Sequence, residues 1–325
     1  VVWWAWIYTT WMVNWFDPAS PAVRVVLIGV MLASLLMAAA LPEALGEHGG
    51  LFAGCYVALQ VGRNAAGALL LRRRHPLSAV FEALVVWSVA SGVLWIAGAM
   101  LDGDQRLLLW GPALIVDLAG PLSGYWVPGR GRVTTAAYAV EGGHFAERCQ
   151  GFIIIALGES VVVTGATAAD RGLTTPVVFA LVVAFLETAA LWWLYFGAAA
   201  EHSRRVMREA EESGRLARDA YTYLHLPIVA GVIGAAVADD LLLGGPHASL
   251  STIGVAMLVG GPALYLLGES LFRLRMVGTV GWRRIVTIVV LIALAPLGPH
   301  VSALALATIT MAVLMLLALW EFVSR

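Results

Sequence analysis

The chain has 325 residues, of which 60% are hydrophobic and 13% charged, with a mean hydropathy of +0.85 and a formal net charge of −1. A soluble domain carries about 25% charged residues and cannot bury one apolar stretch of about 20 residues after another, whereas a bilayer is spanned by such stretches. Long basic runs, aromatic-rich basic patches and metal-finger spacings are lacking, so nucleic acid is excluded as a partner.

The apolar stretches predict eleven spanning helices in chain order: 1–16, 24–41, 51–71, 77–101, 106–126, 147–168, 174–200, 220–238, 250–272, 282–295 and 301–322. They are helices because backbone polar groups in lipid must be satisfied within the segment. Breakers fall between them, among them Asp17-Pro18, Pro42, Pro76, Pro128-Gly129, Gly172, Gly244-Gly245-Pro246 and Gly298-Pro299. The expectation is an all-α, polytopic membrane helix bundle. Its first membrane half is 1–126, a cytoplasmic connection is 127–146, and the second half is 147–325 with a cytoplasmic or interfacial helix at 201–219. In that helix Arg204 and Arg208 are opposed by Glu201 and Glu212 at helical spacing. Cys55 and Cys149 lie in or beside apolar stretches with no CxxC and read as small core residues.

Every basic residue other than histidine is arginine, and alternate connections hold 16 of the 20: Arg24; Arg72, Arg73 and Arg74; Arg130 and Arg132; Arg204, Arg205, Arg208, Arg215 and Arg218; Arg273, Arg275, Arg283 and Arg284; and Arg325. The opposite connections hold Arg106 and Arg171 beside Glu43, Glu47, Asp102, Asp104, Asp170, Asp239 and Asp240. By the positive-inside rule the arginine-rich side is cytoplasmic.

An internal repeat is legible in three ordered matches: VWWAWIY (Val2–Tyr8) with LWWLYF (Leu191–Phe196), AAALPEALG (Ala38–Gly46) with AAVADDLLLG (Ala235–Gly244), and ALQVGRN (Ala58–Asn64) with LYLLGES (Leu264–Ser270). The spacing is six helices, an even number that preserves direction, so the repeats are parallel. The chain opens at Val1 without a Met, already inside an apolar helix and with no signal-peptide n-region. A preceding helix is therefore expected, which would give twelve helices in two parallel six-helix repeats.

The block HFAERCQGFIIIALGES (His144–Ser160), with VWWAWIYTTWMVNWFD (Val2–Asp17), MAAALPEALG (Met37–Gly46) and YVALQVGR (Tyr56–Arg63), resembles the bacterial low temperature requirement protein A family. That resemblance covers the whole chain and implies a multi-pass inner-membrane protein of a bacterium, linked to growth in the cold, with no agreed molecular activity. Members usually begin with a helix carrying an ELFFDL-like motif, which this chain does not contain.

Ionisable groups inside a bilayer cost about 2.5–3.5 kcal/mol at its centre and suggest function by default. Asp117, Glu159 and Glu187 fall near the middle of their predicted spans, and Arg63 lies somewhat past the middle. Tyr56, Gln60, Arg63, Asn64 and Gly67 recur at i, i+4, i+7, i+8 and i+11, one polar stripe down one helix. Arg148 and Glu159 are three turns apart on one side of their helix, about 16 Å along its axis, and Gly151 between them is expected to admit a neighbour closely. Gly120, Pro121 and Gly124 predict a kink or break beyond Asp117.

Three midplane carboxylates against one guanidinium leave a buried charge of −2 if all ionise. Protonation or a bound cation relieves it. The leading expectation is thus a secondary transporter or permease coupled to protons or a cation, with Arg63, Asp117, Glu159, Glu187, Gln60, Asn64, Glu147 and Arg148 as substrate- or ion-binding residues. The bland alternatives are an interhelical ion pair for Arg63 and interfacial anchoring for Glu147 and Arg148. Two other functional readings stay open: an intramembrane enzyme acting on a lipid or isoprenoid, with His144, Glu147 and Arg148 at the headgroup, and a scaffold or sensor working through 201–219. No catalytic residue, metal site or cofactor is expected. The partners expected are the lipid bilayer and a small molecule or ion, with homo-oligomerisation left open.

Overall fold

A computed structural model describes residues 1–71 and 75–324. Arg72, Arg73, Arg74 and Arg325, counted above for orientation, lie outside the described residues. Among the described residues the fold is all-α, with one isolated bridge between Val127 and Gly131. In chain order the helices are α1 (Val2–Trp15), α2 (Pro21–Ala40), α3 (Gly49–Leu70), α4 (Ser78–Ala99), α5 (Leu107–Leu122), α6 (Gly142–Arg171) and α7 (Thr175–Tyr195). They continue with α8 (Ala198–Glu209), the single turn α9 (Ser213–Leu216), α10 (His225–Gly244), α11 (Thr252–Val277), α12 (Trp282–Leu294) and α13 (Ala303–Val323). A π-helical stretch, Ala217–Tyr223, leads from α9 into α10.

Among the described residues, eight elements are long and apolar enough to cross a membrane: α2, α4, α6, α7, α10 with its leading turns, α11, α12 with the 3-10 turns that follow it to His300, and α13. The chain is a multi-pass membrane protein. Its helix ends follow local chemistry. Pro21 and Pro176 occupy first-turn positions, where a missing N–H costs nothing. Ser251 and Ser302 accept from the amides of Gly254 and Ala305, and Gly278 closes α11 in the left-handed region. Along α2, Val25, Ile28, Met31, Leu32 and Leu35 are exposed at helical spacing, the face that meets lipid tails.

Several boundaries differ from the sequence expectation. Helix α5 stops at Leu122, where Gly124 and Tyr125 both take positive φ, so the expected kink is a chain reversal. Helix α6 starts at Gly142, five residues early. The span expected at 174–200 is broken after Tyr195 and resumes as α8. Helix α10 runs past Ala238 to Gly244, which moves Asp239 and Asp240 from the expected connection into the helix.

The chain forms two compact units, Val1–Glu141 with Glu211–Arg218, and Gly142–Ala210 with Asp219–Arg325. The first has a core of Phe52, Tyr56, Leu59, Trp95, Trp110 and Ala113 among others. The second is built around Ala180, Val183, Ala238, Leu242, Leu258 and Leu306. Arg204 and Arg208 do not pair within 201–219: both reach Glu147 of α6, at 4.0 and 3.2 Å, and Arg215 pairs with Glu212.

Candidate functional site

In the first unit, the periodic stripe of α3 turns inward. Tyr56, Gln60, Arg63 and Asn64 are all buried, Arg63 to 1% exposure. Gly67 completes the stripe because Phe81 of α4 fills the space a side chain would need, with a Cβ placed 2.2 Å from its ring. The Arg63 guanidinium donates to the carbonyl of Ala5 at 3.0 Å and to Thr9 Oγ1 at 3.2 Å, both on α1, and to Gln60 Oε1. It also lies over the Tyr8 ring, 5.4 Å from its centroid.

Asp117 of α5 closes the other end of this network. Its Oδ2 accepts from Tyr56 at 2.9 Å and from Trp95 Nε1 at 3.1 Å, and Gln60 Nε2 donates to the Tyr56 hydroxyl at 3.1 Å. A buried carboxylate and a buried guanidinium are thus joined through two neutral side chains, Tyr56 and Gln60, that both donate and accept. Arg63 Nε is buried without an acceptor. Tyr125, held by the reversal after α5, bonds its hydroxyl to Tyr8. Gly120 makes room for that ring, since a Cβ there would lie 2.9 Å from it.

A cavity of about 280 Å³ in the same unit is lined by Pro76, Glu82, Tyr125, Arg130, Arg132 and Thr134. Its ion pair, Arg130 with Glu82 at 2.5 Å, is exposed on both sides. Exposed pairs contribute little, so Glu82→Ala is expected to change stability by less than about 1 kcal/mol, read as an unchanged thermal midpoint in detergent.

In the second unit, Glu187 of α7 is 1% exposed and neither carboxylate oxygen has a hydrogen-bond partner. The charge that acts on it is Asp239 of α10, itself 2% exposed with Oδ1 unpartnered. Glu159 is exposed on α6 and lines a groove of about 420 Å³ with Ser160, Val163, Ile233 and Asp240. Glu147 is exposed beside Arg204 and Arg208, and Arg148 is partly buried with Nη1 unpartnered. Gly151, expected to admit a close neighbour, has open space at its Cβ position.

Sequence reasoning missed one feature here, a buried guanidinium tie. Arg284, assigned to a basic connection, is 1% exposed. It donates to Glu269 at 2.6 Å, to both oxygens of Glu321 at 2.8 and 3.0 Å, and to the carbonyl of Leu194 at 3.1 Å, and so ties α7, α11, α12 and α13. His225, fully buried, shares a 2.8 Å hydrogen bond with Tyr195 and stacks on Tyr221. Its two ring nitrogens are taken up by Tyr195 and the carbonyl of Ala220, so it reads as a fixed interhelical contact.

The sequence expectation gathers Asp117, Glu159 and Glu187 around Arg63. The fold places Arg63 and Asp117 in one unit, with Glu159 and Glu187 in the other. Within the first unit, Arg63, Gln60 and Asp117 join one network, and Asn64 is buried on the same stripe.

A profile of the bacterial low temperature requirement A protein family (LtrA) matches residues 1–319. An uncharacterized protein, RA0937, of Rhizobium meliloti (strain 1021) is 34% identical over 328 residues, which span 99% of this chain and 79% of the relative. No solved structure matches the chain.

Proposed function

We propose, for a chain that belongs to the bacterial low temperature requirement A family, the activity of a secondary transporter or permease coupled to protons or a cation. The observation that carries this reading is the buried chain Asp117–Tyr56–Gln60–Arg63. Charges of both signs inside a membrane unit are expensive to keep, and here they are linked by side chains whose hydrogen bonds can reverse. Arg63, with an unsatisfied Nε, is suited to hold an anionic group of a small molecule, and Asp117 to compensate it in the empty state. Asn64 adds an amide on the same face. Glu159, Glu187, Glu147 and Arg148 belong to the same proposal as ion- or substrate-contacting groups of the second unit. The protein would sit in the bacterial inner membrane with its arginine-rich connections cytoplasmic. It would be built as two parallel repeats and support growth at low temperature.

The test is ion flux in proteoliposomes, followed with an entrapped pH-sensitive dye under imposed proton or sodium gradients. Wild-type protein is expected to carry flux above protein-free vesicles. Asp117→Asn and Arg63→Gln should each lower it at least about tenfold, the factor given by about 1.4 kcal/mol. Wild-type flux no greater than that of empty vesicles under either gradient defeats the reading. Unchanged flux in Glu159→Gln removes Glu159 from it.

A further inference from the structure

We infer that Glu187 of α7 and Asp239 of α10 form a two-carboxylate site that holds one exchangeable proton inside the second unit. The pair would be the coupling site of the transporter proposed above, and the assignment rests on that reading.

The packing brings the two groups together. Ala180 and Val183 of α7 share one apolar core with Ala238, Leu242 and Leu243 of α10. Glu187 follows Val183 by one turn, and Asp239 adjoins Ala238 one turn before Leu242. Small residues of that core, Ala180 and Ala238, let the helices approach, and both are fully buried. Both Oε atoms of Glu187, Oδ1 of Asp239 and the hydroxyl of Thr310 on α13, a helix packed along α7, are buried with no hydrogen-bond partner. Three acidic oxygens and the Thr310 hydroxyl are therefore left unsatisfied on α7, α10 and α13.

The surroundings offer them no counter-charge. Helix α10 also packs along α11, whose Glu269, Arg273 and Arg275 lie near its C-terminal end, and Tyr265 of α11 and Arg284 of α12 reach the carbonyls of Leu191 and Leu194 on α7; the helices packed along α7 itself are α6, α10 and α13. Apart from His225 at the start of α10, their basic residues are His144, Arg148 and Arg171 near the ends of α6. Facing groups are otherwise neutral or acidic: Ser160 and Thr164 on the buried side of α6, Glu159 on its exposed side, Thr188 of α7, and Asp240 of α10, which accepts from Thr167 at 3.2 Å. Arg284 and Glu269 neutralise one another in their own cluster.

Two bare carboxylates in such a place each carry a desolvation penalty of several kcal/mol and repel one another. A proton on one removes one charge and supplies an O–H that can donate to the other, a strong charge-assisted bond. Hard divalent cations fit less well: they want six or more oxygens, and no group of three His, Cys, Asp or Glu is placed to hold a metal among the described residues. Asp240, next in sequence to Asp239, lines the groove between α6 and α10 with Glu159. On release the O–H bond breaks with its electrons left on the carboxylate, and a water molecule takes the proton.

The test uses the full-length protein in lipid nanodiscs and the carbodiimide DCCD, which reacts with buried protonated carboxyls, with adducts mapped by mass spectrometry across a pH series. The expected result is an adduct on Glu187 or Asp239 that declines as pH rises. In Asp239→Asn the decline at Glu187 should shift to lower pH by about one unit, a tenfold change in proton affinity, because a repelling charge has gone. Glu187→Gln should shift Asp239 in the same sense. Infrared difference spectra give a second readout, a carboxylic C=O band that disappears over the same pH range in the unmutated protein and at lower pH in either variant. The inference is overturned if neither carboxyl is labelled, if the variants leave the pH dependence unmoved, or if sodium at fixed pH protects the pair, which would make sodium the occupant. Flux is scored separately. A titrating pair in a protein without flux keeps this site and removes the transporter; flux with an inert pair does the reverse.

Discussion

Replacing Arg284 by methionine is expected to cost about 3–5 kcal/mol of stability, the range for stranding a buried charge. The guanidinium is almost completely enclosed and bonds Glu269, Glu321 and the end of α7 at once. Methionine fills much of the volume but leaves Glu269 without its donor. Arg273, 3.7 Å from Glu321, pairs with that second acid. The measurement is the temperature at which half of the detergent-solubilised protein leaves the monodisperse peak. Arg284→Met should lower it strongly, and adding Glu269→Gln should recover much of the loss, because the uncompensated charge is then removed. Arg283, one position away, is partly exposed and contacts Ser324 and the rings of Trp282 and Trp320, and Arg283→Met should move the midpoint less. Equal effects of the two substitutions would defeat the explanation.

The second large effect is expected where α10 crosses α11. A Cβ on Gly231 would lie 2.5 Å from the amide nitrogen of Tyr265 and 2.7 Å from the carbonyl oxygen of Gly261. On Gly261 it would lie 2.7 Å from the nitrogen of Ala235, and on Gly268 2.8 Å from that of Ile228. These are backbone atoms of packed helices, which cannot swing aside as a side chain does. Gly261→Ala should therefore destabilise at or above the upper end of the usual overpacking cost of about 1–3 kcal/mol. The neighbouring Gly260 has open space, so Gly260→Ala should be neutral or gain up to about 1 kcal/mol from helix propensity. Thermal midpoints of the two variants, one residue apart, decide the matter; a shared sign would count against the close crossing.

How much of this was legible beforehand depended on which physical signal each residue leaves. The stripe Tyr56–Gln60–Arg63–Asn64–Gly67 carries helical periodicity within one segment, and its burial follows from that alone. Glu187 stands in a long apolar run, and its depth could be read from the run. Asp239 could not be placed in this way, because two adjacent acids after Ala238 read as the polar end of a span. The helix instead continues to Gly244 and stops at the Gly-Gly-Pro breaker. Arg284 is harder still. It and Arg283 begin the same helix, and a rotation of about 100° per residue separates a buried four-helix tie from a partly exposed contact. Only the partners, Glu269 and Glu321, distinguish them, and they are distant in sequence. The grouping of Glu159 and Glu187 with Asp117 around Arg63 rested on depth alone, which carries no information about which unit a helix joins.

The glycine-lined crossing of α10 and α11 has a mechanical consequence. With main chain against main chain over Gly231, Gly234, Gly261 and Gly268, the two helices cannot slide or roll past one another without steric collision, so they must travel as a single stiff lever. Asp239 rides on that lever and Glu187 does not. Any stroke of the lever against α7 changes the separation of the two acids, and the grip of the pair on its proton becomes a gauge of where the lever stands.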